Sequence, residues 1–213
     1  MFGSLTRTGQ VLWNGSFVLA DILQYHAPIA IEGSDVLELG AGCCGIPGQV
    51  ASLLGARNVT FTDIKDELTG LESNITANAT LLKGLVSIEE LDWSRVRQTR
   101  CLPASLRDAH FDLLLCADVV YSNTYKDLAL CILLLLERNP HAMVLMSNAM
   151  RKHVHIFRRR MTQFCEFTPW VSSNHTETHD VVWIIVLRKE VSLETMWNVF
   201  CEDTCPGREG SDS

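Results

Sequence analysis

The sequence predicts one α/β domain with a doubly wound, mostly parallel sheet of seven strands that ends in an antiparallel β-hairpin. Short apolar runs alternate with segments of helical periodicity along the 213 residues. The run at 110–117 is almost unbroken, which is typical of a central parallel strand covered on both faces. The last two runs follow one another with no helix between them, and strands joined in this way pair antiparallel.

Each predicted strand is a short apolar run, and each predicted helix carries apolar residues three and four positions apart. The predicted strands cover 35–39, 59–62, 86–91, 110–117, 142–147, 167–171 and 181–187. The predicted helices cover 11–25, 46–54, 68–82, 126–139 and 154–164, and 94–109 is interpreted as a loop with a partial helix. We expect residues 1–201 to form a single domain and residues 202–213 to form a polar, disordered tail.

Composition excludes several classes of function. A net charge of −7 does not suit a general nucleic-acid binder, which needs a basic face for phosphate contacts. The longest apolar run, 128–136, is too short to span a bilayer, so no membrane partner is expected. One local basic cluster has two interpretations, a solvated helix face, which we favour, or a docking surface for an acidic protein partner. It consists of Arg151, Lys152, Arg158, Arg159 and Arg160.

The cysteines indicate a reduced, intracellular protein. Eight are present, but residues 1–10 lack the pattern of a signal peptide. Cys116, Cys131 and Cys165 fall within apolar patterns, as buried free thiols do. We therefore expect a cytoplasmic location, with access to the nucleus left open, and a monomer.

No metal site is expected. Cys201 and Cys205 have no second ligand pair nearby. The remaining candidates fall in two separated histidine pairs without an accompanying carboxylate pattern: His153, His155, His175 and His179.

The stretch at 36–45 predicts a nucleotide site. It reads as a buried strand followed by a turn in which Gly40, Gly42 and Gly45 have the G-x-G-x-x-G spacing. Glycines at this spacing let the backbone approach a ligand closely, although the same spacing can also be a plain strand-to-helix turn. The next strand ends in Asp63, where a ribose hydroxyl pair would lie in such a site.

On an ordered set of motifs, the chain resembles the seven-strand, Rossmann-like S-adenosylmethionine (SAM)-dependent methyltransferases. Within them it is similar to methyltransferase family 16, the non-histone protein lysine methyltransferases of the methyltransferase-like 21 type. The D-x-x-Y unit from Asp118 to Tyr121, directly after the fourth strand, is the most specific of these motifs. The matching residues are Leu12 to Ser16, Val36 to Gly48, Thr62-Asp63, Asn74 with Asn78, Asp92-Trp93 and Ala117 to Tyr121.

The resemblance implies SAM as cofactor and gives roles to the first motifs. Gly40 and Gly42 would pass against the methionine part of SAM, with Glu38 steadying that turn and the ammonium group. Asp63 would accept hydrogen bonds from both ribose hydroxyls. Its alternative role is to cap the helix that follows, since Asp is a favoured N-cap residue. The cysteines at 43–44 depart from the family pattern and are interpreted as small fillers beside the ligand.

The adenine would lie further along the same edge of the sheet. Trp93 offers it a flat apolar surface, and Asp92 could accept from its exocyclic amine. Trp93 could equally be a core residue. Trp13 resembles a tryptophan near the cofactor, with core packing equally plausible, and Ala117 would contact the cofactor from the end of the fourth strand.

The resemblance assigns the chemistry to two residues. Asp118 would position the target nitrogen and Tyr121 would shape its channel, because methyl transfer from a sulfonium mainly requires alignment of a neutral amine. The alternative for Asp118 is capping of the next helix. Ser147 and Asn148 would lie at the lip of the substrate site, while Asn74 and Asn78 are interpreted as fixing local backbone; the two asparagines lie one helical turn apart.

The leading hypothesis is therefore a SAM-dependent methyltransferase acting on lysine in a cytosolic, non-histone protein. A small-molecule N-methyltransferase on the same fold is the second hypothesis. A catalytically silent partner-binding module is the third, and a nicotinamide-dependent oxidoreductase is the remote fourth. Neither the methylated protein nor the number of methyl groups follows from fold-level resemblance.

Overall fold

The computed structural model describes residues 8–25, 30–122, 124–170, 180–188 and 192–201. The strands are β1 (Asp35–Leu39), β2 (Asn58–Asp63), β3 (Leu85–Glu90), β4 (Leu113–Ala117), β5 (Met143–Ala149), β6 (Cys165–Trp170) and β7 (Asp180–Leu187). The helices are α1 (Asn14–Tyr25), α2 (Ile46–Leu53), α3 (Lys65–Asn78), α4 (Trp93–Thr99), α5 (Ala104–Arg107), α6 (Tyr125–Arg138), α7 (Lys152–Met161) and α8 (Leu193–Cys201). A short 3-10 helix, Thr8–Gln10, precedes α1.

The seven strands form one sheet in the order β3-β2-β1-β4-β5-β7-β6. Strands β1 to β5 pair in parallel, whereas β7 runs antiparallel to both β5 and β6. The predicted doubly wound sheet with a terminal hairpin is confirmed. Residue 171 of the predicted sixth strand and the predicted tail at 202–213 lie outside the described residues. None of the described helices is both long and apolar enough to cross a membrane.

Strand β4 is the centre of the core. Residues 113–116 are fully buried, and alternate side chains point to opposite faces of the sheet. Leu114 and Cys116 pack with α6, α7 and α8. Leu113 and Leu115 pack with apolar residues of α1, α2 and α3. This two-sided cover explains the unbroken apolar run in the sequence.

Two helices begin three residues away from their predicted starts. Helix α1 begins at Asn14, so Val11 and Leu12 are exposed rather than helical core residues. Helix α3 begins three residues earlier than predicted, and Asp66 and Glu67 in its first turn favour that start through the helix dipole. It ends four residues early, and Gly84, at φ 69°, turns the chain toward β3.

Helix α8 was not predicted. Its Met196, Trp197 and Phe200 are buried in the same cluster as α6. These three residues have helical spacing, but the segment is short and follows a strand that already completes the sheet. Its stability comes from packing on α6 rather than from its own periodicity.

The order of the strands creates a crevice beside β1. Leu39 pairs with Thr62 of β2 on one side and with Cys116 of β4 on the other. The chain therefore leaves the carboxyl ends of β1 and β4 in opposite directions. This is the topological switch point at which open α/β sheets bind ligands.

Candidate functional site

A cleft lies at this switch point and encloses about 1090 Å³, its open mouth included. The structure brings together all of the residues predicted to bind the cofactor or to act in catalysis, except Glu38, as its lining. They are Trp13, Gly40, Gly42, Asp63, Asp92, Trp93, Ala117, Asp118 and Tyr121. Apart from Trp13, which precedes α1, these residues lie at or just after the ends of different strands, so the cleft is a product of the sheet topology.

The glycine turn after β1 forms the floor of the cleft. Gly40 and Gly42 have φ of 69° and 60°, a conformation in which side chains with a Cβ are strained. A Cβ on Gly40 would lie 2.7 Å from Val119 Cγ1 and 3.2 Å from Trp93 Cη2. Both backbone N–H groups at Gly40 and Ala41 donate to the Thr62 carbonyl at 3.0 Å. The turn is therefore fixed to β2 and leaves room for a ligand.

Glu38 lies behind the turn rather than in the cleft. Its side chain is buried, and its Oε2 accepts a 2.8 Å hydrogen bond from the Gly48 N–H in α2. Burial raises the pKa of Glu38 to about 8, with a smaller contribution from the charge of Asp63, while the bond from Gly48 opposes the rise. Glu38 thus ties the glycine turn to α2. It is not among the residues that line the cleft, and its predicted contact with the ammonium group of SAM stays a prediction.

Asp63 at the end of β2 points into the cleft. Its two oxygens accept 2.7 Å bonds from the N–H groups of Gly42 and Ile64. Helix α3 has Ile64 as its N-cap residue and no side-chain cap, so the structure does not give Asp63 the alternative capping role. Burial raises the pKa of Asp63, and the two N–H groups oppose that rise.

Asp92 and Trp93 form the end of the cleft nearest α4. Asp92 is the N-cap of α4, and its Oδ1 accepts from Ser94 N at 2.9 Å and from Ser94 Oγ at 2.6 Å. Trp93 is half-buried, packs against the core cluster of α6 and also lines the cleft, while its contact with adenine stays a prediction. Its buried Nε1 has no hydrogen-bond partner among the described residues.

Asp118, just after β4, connects the end of that strand to the start of α1 and the end of β5. Its Oδ2 accepts from the Gly15 N–H at 3.0 Å and its Oδ1 from the Ala149 N–H at 2.9 Å. Because α6 begins only at Tyr125, Asp118 does not cap the helix that follows it, and it instead serves the first turn of α1. Asp118 adopts a φ of 54°, which is unusual for a residue other than glycine and marks a constrained position.

The mouth of the cleft is apolar and open. Tyr121 is 40% exposed, and Val11 and Leu12 line the same opening with 40% and 54% of their surfaces exposed. Trp13 lines the cleft and belongs to none of the buried core clusters of the described residues, and the guanidinium carbon of Arg151 lies 5.2 Å from the centre of its ring. Sequence reasoning missed Val11 and Leu12 because their spacing continued the pattern of α1.

Two further carboxylates in the lining were missed, Glu67 in the first turn of α3 and Asp127. Asp127 lies in the first turn of α6, where Arg97 Nε approaches its Oδ1 to 2.5 Å. Burial raises the pKa of Asp127, with the nearby charge of Asp92 adding to the rise and Arg97 opposing it. An acidic residue at the start of an otherwise apolar helix was the signal that could have identified it.

The remaining predicted positions divide into two groups. Asn74 Nδ2 donates to the Cys43 carbonyl at 2.7 Å, which confirms the predicted backbone role for this residue. Asn78 Nδ2 instead donates to a side-chain oxygen, Gln49 Oε1, at 2.8 Å. The lip position predicted for Ser147 and Asn148 is wrong. Both are buried because β5 continues to Ala149, and Asn148 Oδ1 accepts from the Val120 N–H at 3.1 Å beneath the cleft.

The two adjacent cysteines of the glycine turn line the cleft as free thiols. Their sulfurs are 3.4 Å apart, and burial raises the pKa of Cys44 to about 11. A raised pKa keeps this thiol protonated and unreactive. Among the described residues, no group of three or more His, Cys, Asp and Glu side chains is placed to hold a metal ion.

The sequence comparisons point to one family of proteins. A family model described as lysine methyltransferase matches residues 4–165. The mouse protein N-lysine methyltransferase METTL21A is 38% identical over 120 residues, 55% of this chain and 51% of the relative. The protein N-terminal and lysine N-methyltransferase efm7 of Emericella nidulans is 34% identical over 131 residues, 58% of this chain and 50% of the relative. The chain thus spans about half the length of these curated relatives.

Solved structures share the fold at low sequence identity. The ribosomal protein L11 methylase of Lactobacillus delbrueckii subsp. bulgaricus has a TM-score of 0.60 at 19% identity, covering 84% of this chain and 81% of that one. The magnesium protoporphyrin IX methyltransferase of Synechocystis PCC 6803, solved with bound SAM, has a TM-score of 0.55 at 16% identity over 81% and 78%. The family model covers most of the sheet and the whole glycine turn, so the chain belongs to the lysine methyltransferase family that this model describes.

Proposed function

We propose that this chain transfers a methyl group from SAM to a lysine side chain of a non-histone protein. The observation that carries the proposal is the cleft at the switch point, where the glycine turn, Asp63 and Asp118 meet in a member of the lysine methyltransferase family. The names of the similar proteins support lysine as the acceptor. The non-histone part of the proposal is supported by the resemblance to the methyltransferase-like 21 type.

The residues present fit SAM. A Cβ at Gly40 would press on Val119 and Trp93, the latter a cleft-lining residue, and the Nε1 of Trp93 is a buried donor without a partner in the described structure. Gly40 and Gly42 would hold the methionine part, Asp63 the ribose, and Asp92 with Trp93 the adenine. When bound, SAM supplies a methyl group on a positively charged sulfur that a neutral amine can attack.

The chain itself has to present that amine without its proton. The exposed side chains of Leu12 and Tyr121 give the mouth an apolar surface for the alkyl part of a lysine. An apolar surrounding lowers the pKa of an ammonium group and favours the reactive neutral form. Asp118 is held rigidly by the N–H groups of Gly15 and Ala149, and each of its oxygens keeps a lone pair that could accept an amine N–H. Asp118 would thereby fix the direction of the nitrogen lone pair.

The test is methyl transfer from radiolabelled SAM to a size-fractionated cell extract, with Asp63→Ala as the cofactor-defective control. We expect label in a protein band with the unmodified chain and none with the variant. Mass spectrometry of the band then separates a lysine side chain from an N-terminal amine, both of which appear in the names of relatives. Label confined to small molecules would favour the small-molecule N-methyltransferase, and SAM binding without any transfer would favour the silent module.

A cytoplasmic location and a monomeric state complete the proposal. The six cysteines whose side chains are described are all free thiols, which supports a reducing compartment. Microscopy of the tagged chain tests the location, and light scattering coupled to size-exclusion chromatography tests the oligomeric state.

A further inference from the structure

We propose that an acidic segment of the protein substrate docks on a basic stripe beside the mouth of the cleft. The basic stripe consists of Arg151, Lys152 and Arg159 on α7 and the residue before it. The inference rests on the proposed function and adds the chemistry of the sequence that flanks the target lysine.

The stripe begins at the cleft. Arg151 lies two residues after the end of β5, and its guanidinium carbon lies 5.2 Å from the centre of the Trp13 ring, which lines the cleft. Two residues earlier, the Ala149 N–H donates to Asp118, the residue proposed to orient the amine. The first cation of the stripe therefore lies next to the place where the substrate lysine would enter.

The stripe then runs outward along the solvent face of α7. The helix buries Val154, Phe157 and Met161, while Lys152 and Arg159 are exposed on its opposite side. These two cations are seven positions apart along the helix, which corresponds to about 10 Å at 1.5 Å per residue. An extended peptide covers that length in about three residues. The stripe can thus contact acidic side chains within a few positions of the target lysine.

The other two arginines of the helix have a different role. Arg158 lies 6.0 Å from the ring centre of Trp183, and Arg160 lies 5.9 Å from that of Tyr125. Arg160 also donates to the Val199 carbonyl at 3.2 Å. These contacts hold α7 against its neighbours. The basic cluster of the sequence therefore divides into Arg158 and Arg160, which pack on neighbouring elements, and the stripe, in which half-buried Arg151 packs on the cleft residue Trp13 while Lys152 and Arg159 are exposed.

Charge favours an acidic protein segment over other partners. The chain carries a net charge of −7, yet none of the ion pairs among the described residues uses a cation of the stripe. An acidic chain repels an acidic partner everywhere except at such a patch, so the stripe would orient it. Three cations are few for the phosphate backbone of a nucleic acid, whose binding requires a broad basic face.

The apolar rim beside the stripe completes the recognition surface. Val11, Leu12, Tyr121 and Met150 are between 38% and 54% exposed around the start of the stripe. Single exposed apolar residues are common, but three of these four line one opening. The surface therefore fits a lysine with apolar neighbours on one side and acidic residues a few positions away.

The test uses a fluorescent peptide with a central lysine flanked by aspartates, and a copy with asparagines in their place. Binding to the full chain is measured by anisotropy in the presence of S-adenosylhomocysteine, and methyl transfer is measured with labelled SAM. The test variant is Lys152→Glu with Arg159→Glu. Its matched control, Lys83→Glu with Arg188→Glu, reverses the same two charge types at exposed positions away from the cleft.

We expect the acidic peptide to bind about tenfold more tightly than the neutral copy, and the test variant to lose that preference while the control keeps it. Equal binding of both peptides, or an equal effect of both double variants, would overturn the inference. Binding of a single-stranded RNA oligomer in place of the acidic peptide would overturn it as well. Stripe-dependent binding without methyl transfer would uphold the docking surface and count against the proposed function, so the two failures are distinguishable.

Discussion

The two sides of the cleft are built differently. On the β1–β2 side, the glycine turn and Asp63 are locked to neighbouring backbone by hydrogen bonds of 2.7–3.0 Å. On the β4–α7 side, only Asp118 is held in this way, and Tyr121, Met150 and the basic stripe are exposed or half-exposed. A rigid wall suits a cofactor that is always the same, and an open rim suits a substrate recognised by its surface. Variants on the first side should therefore change cofactor affinity, and variants on the second side should change transfer.

Asp63→Ala should have the largest effect on cofactor affinity. It removes both ribose acceptors and releases the Gly42 N–H, and each charge-assisted bond is worth about 1.5–3 kcal/mol. We expect SAM to bind about 100-fold more weakly by calorimetry. Glu72→Ala, at an exposed position of the neighbouring helix α3, is the control and should bind normally. Near-normal affinity of Asp63→Ala would remove this residue from the cofactor site.

Gly40→Ala should weaken SAM binding somewhat less. The new Cβ would lie 2.7 Å from Val119 Cγ1, and overpacking of this kind destabilises a fold by about 1–3 kcal/mol. The control is Gly33→Ala, because Gly33 has a similar φ of 76° but nothing within 4 Å of its Cβ position. In both variants the left-handed conformation by itself should lower the free energy of unfolding by about 1–2 kcal/mol. Only the variant at residue 40 should lose affinity for SAM, and equal losses would show that backbone strain alone is responsible.

Tyr121→Ala should lower methyl transfer rather than SAM affinity, the reverse of the two variants above. Loss of an exposed aromatic contact at the mouth costs about 1–2 kcal/mol of substrate interaction, so the rate of methyl transfer should fall about tenfold. SAM affinity should stay unchanged, because Tyr121 lies outside the rigid wall. Tyr25→Ala, at another exposed tyrosine of the chain, provides the control. A loss of SAM affinity in Tyr121→Ala would contradict the division of the cleft into two sides.

Glu38→Gln should alter the pH dependence of stability and leave SAM affinity almost unchanged. The folded chain holds the Glu38 proton up to a pKa of about 8, against an ordinary value of 4.5, so the unfolded chain releases it first. The free energy of unfolding therefore falls as the pH rises from about 4.5 to about 8, by an amount on the order of a few kcal/mol. Urea unfolding over a pH series should show that this fall is reduced in Glu38→Gln. Parallel pH profiles of the two proteins would contradict the buried, protonated state.

The sequence predicted most of the fold because its elements are local patterns. The buried run of β4, the glycine turn and the terminal hairpin are visible in a few consecutive residues each. Helix α8 was missed because its Met196, Trp197 and Phe200 gain their stability from packing on α6, which no local pattern reveals. The start of α1 was misplaced because Val11 and Leu12 are apolar for the cleft rather than for the core.

The residues of the site were likewise predictable where local sequence patterns place them, but not where tertiary contacts do. Gly40, Gly42 and Asp63 were identifiable because their spacing along the chain determines where they meet. The hydrogen bond between Gly15 and Asp118 could not be predicted, because the two residues are 103 positions apart and only the order of the strands brings them together. Asp127 and the basic stripe likewise became parts of the site only when α6 and α7 were placed beside it. The cofactor side could therefore be predicted from sequence, whereas the substrate side depended on tertiary contacts.

The most direct test of the central claim is calorimetric titration of the purified chain with SAM and, separately, with NAD. The two-sided cleft predicts one SAM site per chain, a clear loss of affinity in Gly40→Ala but not in Gly33→Ala, and no binding of NAD. Binding of NAD in place of SAM would contradict it and favour an oxidoreductase on the same type of sheet. Failure to bind either ligand by a folded chain would show that the cleft at the switch point is not a cofactor site.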